Sequence, residues 1–82
     1  MKRIEKRSFF GLDNLEILDL KENSIAMVEE EGFYGLSNLT ELNLAENKMK
    51  IIKKRYFFGL KNLKKLDLRF NFIESIEEEG FY

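Results

Sequence analysis

Apolar residues fall at fixed places along this chain, and equivalent places are separated by 24 residues throughout. Leu39, Leu42, Leu44, Met49, Ile52 and Phe57 mark one unit, with Asn47 set among them. Leu15, Leu18, Leu20, Ile25, Val28 and Phe33 mark the unit before it, around Asn23. Leu63, Leu66, Leu68, Ile73, Ile76 and Phe81 mark the unit after it, around Asn71. In each unit the stretch L-x-x-L-x-L alternates apolar and polar residues over its second half, which predicts a short strand buried on one face. Strands are therefore expected around 17–21, 41–45 and 65–69. The charged segment before each Phe is expected to be irregular, or a short helical turn, on the outer side of the unit.

A strand, a turn and a return segment cannot bury a leucine-lined flank alone. Stacking like units side by side does so, and a fixed period of about 20–50 residues marks a solenoid. The division expected is a single domain over residues 1–82, with a partial repeat at 1–14 and repeats at 15–38, 39–62 and 63–82. The strands should form one parallel sheet with neighbours about 4.8 Å apart. Asn23, Asn47 and Asn71 interrupt the apolar pattern, where a side-chain amide can satisfy turn backbone that no ladder reaches. Gly11, Gly35 and Gly59 precede the leucine that leads back to the strand, where a missing Cβ allows unusual backbone or a close approach.

The run L-x-x-L-x-L-x-x-N-x-I-x-x-I followed by F-x-G-L-x-N resembles the leucine-rich repeat family. The 24-residue form with F-x-G-L is similar to the repeats of Toll-like receptors and small extracellular proteoglycans. The likeness covers nearly the whole chain and recurs three times. It implies an α/β fold, a right-handed solenoid with a short parallel sheet on its concave face and protein recognition there. It also implies a buried ladder of Asn23, Asn47 and Asn71. Extracellular members usually carry cysteine-rich caps, which are absent here, and the sequence starts and stops within a repeat. A fragment or a designed sequence is thus an alternative to an intact natural domain.

Composition narrows the chemistry. With no Cys and no His among 82 residues, disulfides, thiol or imidazole catalysis and His/Cys metal sites are excluded. A formal net charge of −1 gives no general attraction to nucleic acid or anionic membranes. No apolar run approaches the roughly 18 residues of a membrane span. The basic stretch at residues 1–7 lacks the apolar segment of a secretory signal. The family resembled is mostly extracellular, but with neither signal nor cysteine the compartment stays open. Asp19 and Asp67 are separated by Asn43, about 9–10 Å apart at strand spacing, and no nucleophile or cofactor motif accompanies them. The glutamate triplets lack the Asp/Asn/Gly loop that wraps calcium. The expectation is a protein that is not an enzyme and takes no cofactor or metal.

A longer period lies over the first. Glu29-Glu30-Glu31-Gly32-Phe33-Tyr34 recurs as Glu77-Glu78-Glu79-Gly80-Phe81-Tyr82, while Lys53-Lys54-Arg55-Tyr56-Phe57-Phe58 matches Glu5-Lys6-Arg7-Ser8-Phe9-Phe10. The outer segments thus alternate basic and acidic over 48 residues. One charge run alone would merely solvate the outer face, whereas strict alternation favours complementary stacking and fixes its order. Phe10, Tyr34, Phe58 and Tyr82 form a further file, expected to be partly buried between repeats.

Two surfaces are candidates for function. The first is the pair of flanks: basic and apolar at Ile4, Lys6, Arg7, Phe9 and Leu12, acidic and apolar at Ile73, Ile76, Glu77, Glu78, Glu79 and Phe81. These flanks complement one another, so tail-to-head self-association is expected, closing into a ring or running as a filament. The second is the outward face of the strands, formed by Ile17, Asp19, Lys21, Glu41, Asn43, Ala45, Lys65, Asp67 and Arg69, with Phe70 and Phe72 beside it. Exposed aromatics next to Arg are typical of protein-binding hot spots, which makes a protein ligand on this face the alternative. Neither nucleic acid binding nor membrane insertion is expected.

Overall fold

The computed structural model describes residues 2–78. Its strands are β1 (Arg3–Ile4), β2 (Ile17–Asp19), β3 (Met27–Val28), β4 (Glu41–Asn43), β5 (Ile51–Ile52), β6 (Lys65–Asp67) and β7 (Ser75–Ile76). All pairings are parallel and join residues 24 apart, as in Leu18 beside Leu42 and Leu42 beside Leu66. The order β2-β4-β6 forms the expected sheet, and β1-β3 and β5-β7 form two small outer ladders. Stacked parallel coils of this kind fit a repeat solenoid. For reference, the described residues 2–14, 15–38, 39–62 and 63–78 are called the first to fourth coils.

The main strands are three residues long because the turn chemistry after them ends regular pairing. Asp19, Asn43 and Asp67 each accept, through Oδ1, the backbone N–H two residues on, at 2.9–3.0 Å. The next residues, Glu22, Glu46 and Phe70, take left-handed φ of 59°, 57° and 61°. Contact between coils nevertheless continues past the strands, with Leu20 N–H donating to Asn43 O at 2.8 Å and Leu44 N–H to Asp67 O at 2.8 Å. The helical half of the α/β expectation has no counterpart among the described residues. Outer segments are turns and two-residue strands, and left-handed φ at Arg7, Glu31 and Arg55 (55°, 60° and 65°) interrupts any helical run. Among the described residues, no helix is long and apolar enough to cross a membrane.

The interior repeats with the coils. Leu39, Leu42, Leu44, Met49, Ile52 and Phe57 are buried in the third coil, as are Leu20, Ile25, Val28 and Phe33 in the second. Phe9, Phe33 and Phe57 stack face to face with centroids 5.9 and 5.8 Å apart. Two expectations are corrected. Ile4, expected on the open flank, is 1% exposed, because β1 pairs with β3 and turns this side chain inward beside Val28 and Gly32. Ala45, expected on the outward face, is buried, its short side chain lying in the file between the longer Lys21 and Arg69.

The Asn ladder is present. Asn47 Nδ2 donates to Leu20 O, Leu44 O and Ala45 O at 3.0–3.1 Å, while its Oδ1 accepts from Asn23 N–H at 3.0 Å and Ile25 N–H at 2.9 Å. Asn71 repeats this toward the third coil, bonding Leu44 O and Leu68 O and accepting from Met49 N–H. Asn23 donates to Lys21 O within its own turn. A second file of amides, Asn38 to Asp13 O at 2.8 Å and Asn62 to Ser37 O at 2.6 Å, ties the opposite corner.

The outer ladders do not run through. β3 pairs with β1 and β5 with β7, but β3 and β5 do not pair with each other. Where the second coil has Gly32, the third has Tyr56, and that ring is buried at this unpaired step. A Cβ on Gly32 would come within 2.8 Å of Val28 Cγ1, 3.0 Å of Glu29 O and 3.1 Å of Ile4 Cγ2. The glycine lets the second coil close on the first, and the tyrosine fills the space between the second and third.

Two stability measurements check this account. Asn47→Ala strands buried backbone donors and acceptors on two coils, and urea denaturation should show a loss of about 2–4 kcal/mol. A loss below about 0.5 kcal/mol would show that water replaces the amide. Gly32→Ala presses a methyl onto backbone and a β-branched side chain, and the same assay should show a loss of about 1–3 kcal/mol.

Candidate functional site

Charge couples the coils on the outer side. Glu31 takes Arg7 from the first coil at 3.2 Å and Arg55 from the third at 3.2 Å. Arg55 Nε also lies 3.0 Å from Glu30 Oε1, a charge contact without hydrogen-bond geometry. Basic, acidic and basic segments thus interlock as the 48-residue alternation predicts. Glu29 binds Arg3 and accepts the Lys6 backbone N–H at 2.9 Å, and Glu77 accepts the Lys54 N–H at 3.0 Å one double unit later. These carboxylate-to-backbone bonds were not foreseen from the sequence, although both Glu residues stand at the same place in their units. The arginines also lie over rings: Arg7 is 4.7 Å from the Tyr34 centroid and Arg55 is 3.8 Å from that of Phe58. Phe10, Tyr34 and Phe58 stack at 6.1 and 5.8 Å. Tyr34 and Phe58 are half-buried as expected, whereas Phe10 is exposed; Tyr82 lies outside the described residues.

The β2-β4-β6 face brings together most residues named for recognition. Ile17, Asp19, Glu41, Asn43, Lys65, Asp67 and Arg69 line one open hollow of about 260 Å³. Lys21 stands beside it, 3.7 Å from Glu46. Register places Asn43 between Asp19 and Asp67. All three carbonyl or carboxylate groups are engaged by their own turns, which argues against acid–base work. Arg69 grips Asp67 with Nε to Oδ1 at 3.0 Å and Nη2 to Oδ2 at 2.9 Å. Phe70 and Phe72 are 72% and 62% exposed beyond this pair. Among the described residues, no group of three acidic side chains gathers to hold a metal ion.

The flank residues are placed less evenly. Phe9 and Ile73 are half-buried, Leu12 and Ile76 exposed, and Lys6, Arg7, Glu77 and Glu78 lie on the surface. Glu79 and Phe81 lie outside the described residues.

The ion pairs set an acid limit. Hydrogen bonds from the Arg69 side chain, then from its backbone N–H, lower the Asp67 carboxyl from its ordinary 3.8 to about 2. Burial pushes Glu31 upward, but Arg7 and Arg55 outweigh it and hold the group below its ordinary value. The Lys6 N–H, then Arg3, lowers Glu29. Groups held below their unfolded values lend stability that is whole above those values and lost as pH falls through the folded ones. The melting temperature should therefore be level above about pH 5 and fall toward pH 2, and Glu31→Gln should flatten part of that slope. A midpoint constant across this range would contradict the pairing.

The leucine-rich repeat family model matches residues 1–49 and 37–82. No curated protein matches the chain. Repeats of this family generally mediate protein interaction and are generally not enzymes. With its 24-residue parallel coils and shared Asn ladder, the chain belongs to the leucine-rich repeat family.

Proposed function

We propose that the chain is a non-enzymatic interaction module that stacks tail to head, the flank of the fourth coil of one copy meeting the first coil of the next. One observation carries this reading. In the third coil Leu39, Leu42, Leu44, Met49 and Ile52 are fully buried, whereas in the fourth Leu63, Leu66, Leu68 and Ile73 are only half-buried and Ile76 is 55% exposed. The same side chains thus lack the cover that a following coil supplies. In a longer chain that flank would receive the next coil. For the 82-residue chain, a second copy would supply that cover together with charges of the opposite sign. Leu12, Phe9 and Arg7 supply the opposite flank, and Glu77 and Glu78 carry the complementary sign. The Arg7–Glu31–Arg55 file supports this order of charges.

Such a contact joins unlike surfaces and leads to a ring or a filament. Sedimentation velocity should show a mass that rises with concentration and falls with salt, and Ile76→Asp should restore the monomer. Ser8 would stand at the new seam where Tyr56 stands at the internal one, so Ser8→Tyr should strengthen association. A monomer at every concentration in low salt would end the proposal.

A second reading is a protein ligand on the β2-β4-β6 face, supported by the two phenylalanines. Phe70 and Phe72 occupy positions held by Glu46 and Lys48 one coil earlier. Glu46 and Lys48 are exposed even though a further coil is stacked on theirs, so these positions project to solvent with or without a neighbouring coil. Large rings beside an Arg suit a hot spot. Phe70→Ala and Phe72→Ala should weaken ligand capture without changing the melting temperature by more than about 2 °C. If neither ligand binding nor association changes, this reading fails.

A further inference from the structure

We propose that the outer seam between the second and third coils is a docking groove for an extended acidic segment of another protein, with one apolar side chain among its carboxylates. The seam is tied at both ends, by Lys48 N–H to Ile25 O at 2.8 Å and by Glu31 N–H to Arg55 O at 3.4 Å. Between these ties β3 and β5 form no ladder with each other. Two open hollows, of about 290 and 470 Å³, run along the gap and share Met27, Lys53 and Tyr56.

The floor is apolar. Tyr56 is buried between the coils, and Met27 and Ile51, the outward residues of β3 and β5, stand on either side of it about two-fifths exposed. On a ladder that ran through, this pair would be an ordinary cross-strand contact. Here it borders a groove able to seat one aliphatic side chain.

The banks differ in charge. The third coil contributes Lys48, Lys50 and Lys53, none of which has an ion-pair partner among the described residues. The acidic groups that line the hollows are already engaged: Glu29 by Arg3 and the Lys6 N–H, Glu30 by Arg55, and Glu77 by the Lys54 N–H. The groove is therefore net basic although the chain as a whole is not. A polynucleotide fits less well, because the one ring at the seam is buried and offers no face on which a base could stack. Carboxylates spaced along an extended backbone, around one apolar anchor, match the lysine bank and the floor together.

The test uses the full 82-residue chain, isotope-labelled, titrated with a blocked pentapeptide of one leucine flanked on each side by two glutamates. Amide and side-chain shifts should concentrate on Met27, Lys50, Ile51, Lys53 and Tyr56. Lys50→Glu combined with Lys53→Glu should weaken binding about tenfold or more, since both attractions become repulsions. Replacing the peptide's leucine by serine should weaken it several-fold, and lysines in place of its glutamates should abolish it. The Ile76→Asp chain should bind the peptide equally well, so groove and stacking are read separately. Shifts centred on the fourth coil or the β2-β4-β6 face would overturn the proposal. So would binding that survives the double charge reversal, or no shift at all. Both lysines are exposed, and an unchanged melting temperature verifies that the reversed variant is folded.

Discussion

Where the second and third coils turn, buried backbone groups lie beyond the sheet ladder, and a side-chain amide meets them. Asn47 does so for two coils at once, donating to Leu20, Leu44 and Ala45 and accepting from Asn23 and Ile25. A buried polar group costs free energy when unpaired and little when fully paired. The amide therefore tolerates only a spacing that keeps both neighbours in reach. This fixes the stack from inside, and the leucines beside it can then be buried without choosing among registers. The carbonyl-seeking amides of Asn38 and Asn62 impose the same distance on the opposite corner.

With spacing set in this way, charge has a secondary role. Exposed ion pairs contribute little individually, so Arg7, Glu31 and Arg55 do not hold the stack together. They make one order of coils acceptable and penalise others, because two glutamate segments in succession would face each other at the distance the amides dictate. Aromatic files act similarly: Phe9, Phe33 and Phe57 stack because the period places them in line.

Much of this was legible in the sequence. The period gave the parallel pairing and its 24-residue offset, and the apolar positions gave the core through Leu39, Leu42, Leu44 and Ile52. The charge alternation anticipated the Arg7–Glu31–Arg55 file. Other features were not legible, for physical reasons. Regular strand stops at Asp19, Asn43 and Asp67, where Asx turns begin, two residues sooner than alternation suggests, although backbone bonds between coils continue beyond them. Ile4 looked exposed because a flank position was equated with an open one, whereas a two-residue ladder was enough to turn it inward. Side-chain direction in a strand follows parity, so outward positions of the strand face can be read from the alternation, with buried Ala45 the exception. Outer segments have no such rule, so nothing in the sequence pattern marks the hollows at Tyr56.

The exchange of Gly32 for Tyr56 adds a change of shape to the 48-residue alternation of charge. Charge could alternate without any change in shape. Here shape differs between steps too: Gly32 admits close approach and an outer ladder, while Tyr56 is buried where that ladder is missing. Only the outer side can respond, because Asn47 and Asn71 keep the inner spacing uniform. Variation in side-chain size is thus converted into local opening on the outer surface with no disturbance of the sheet. A repeat built this way can gain a groove at alternate steps while its core stays the same, which separates the residues that maintain the fold from those free to acquire a partner.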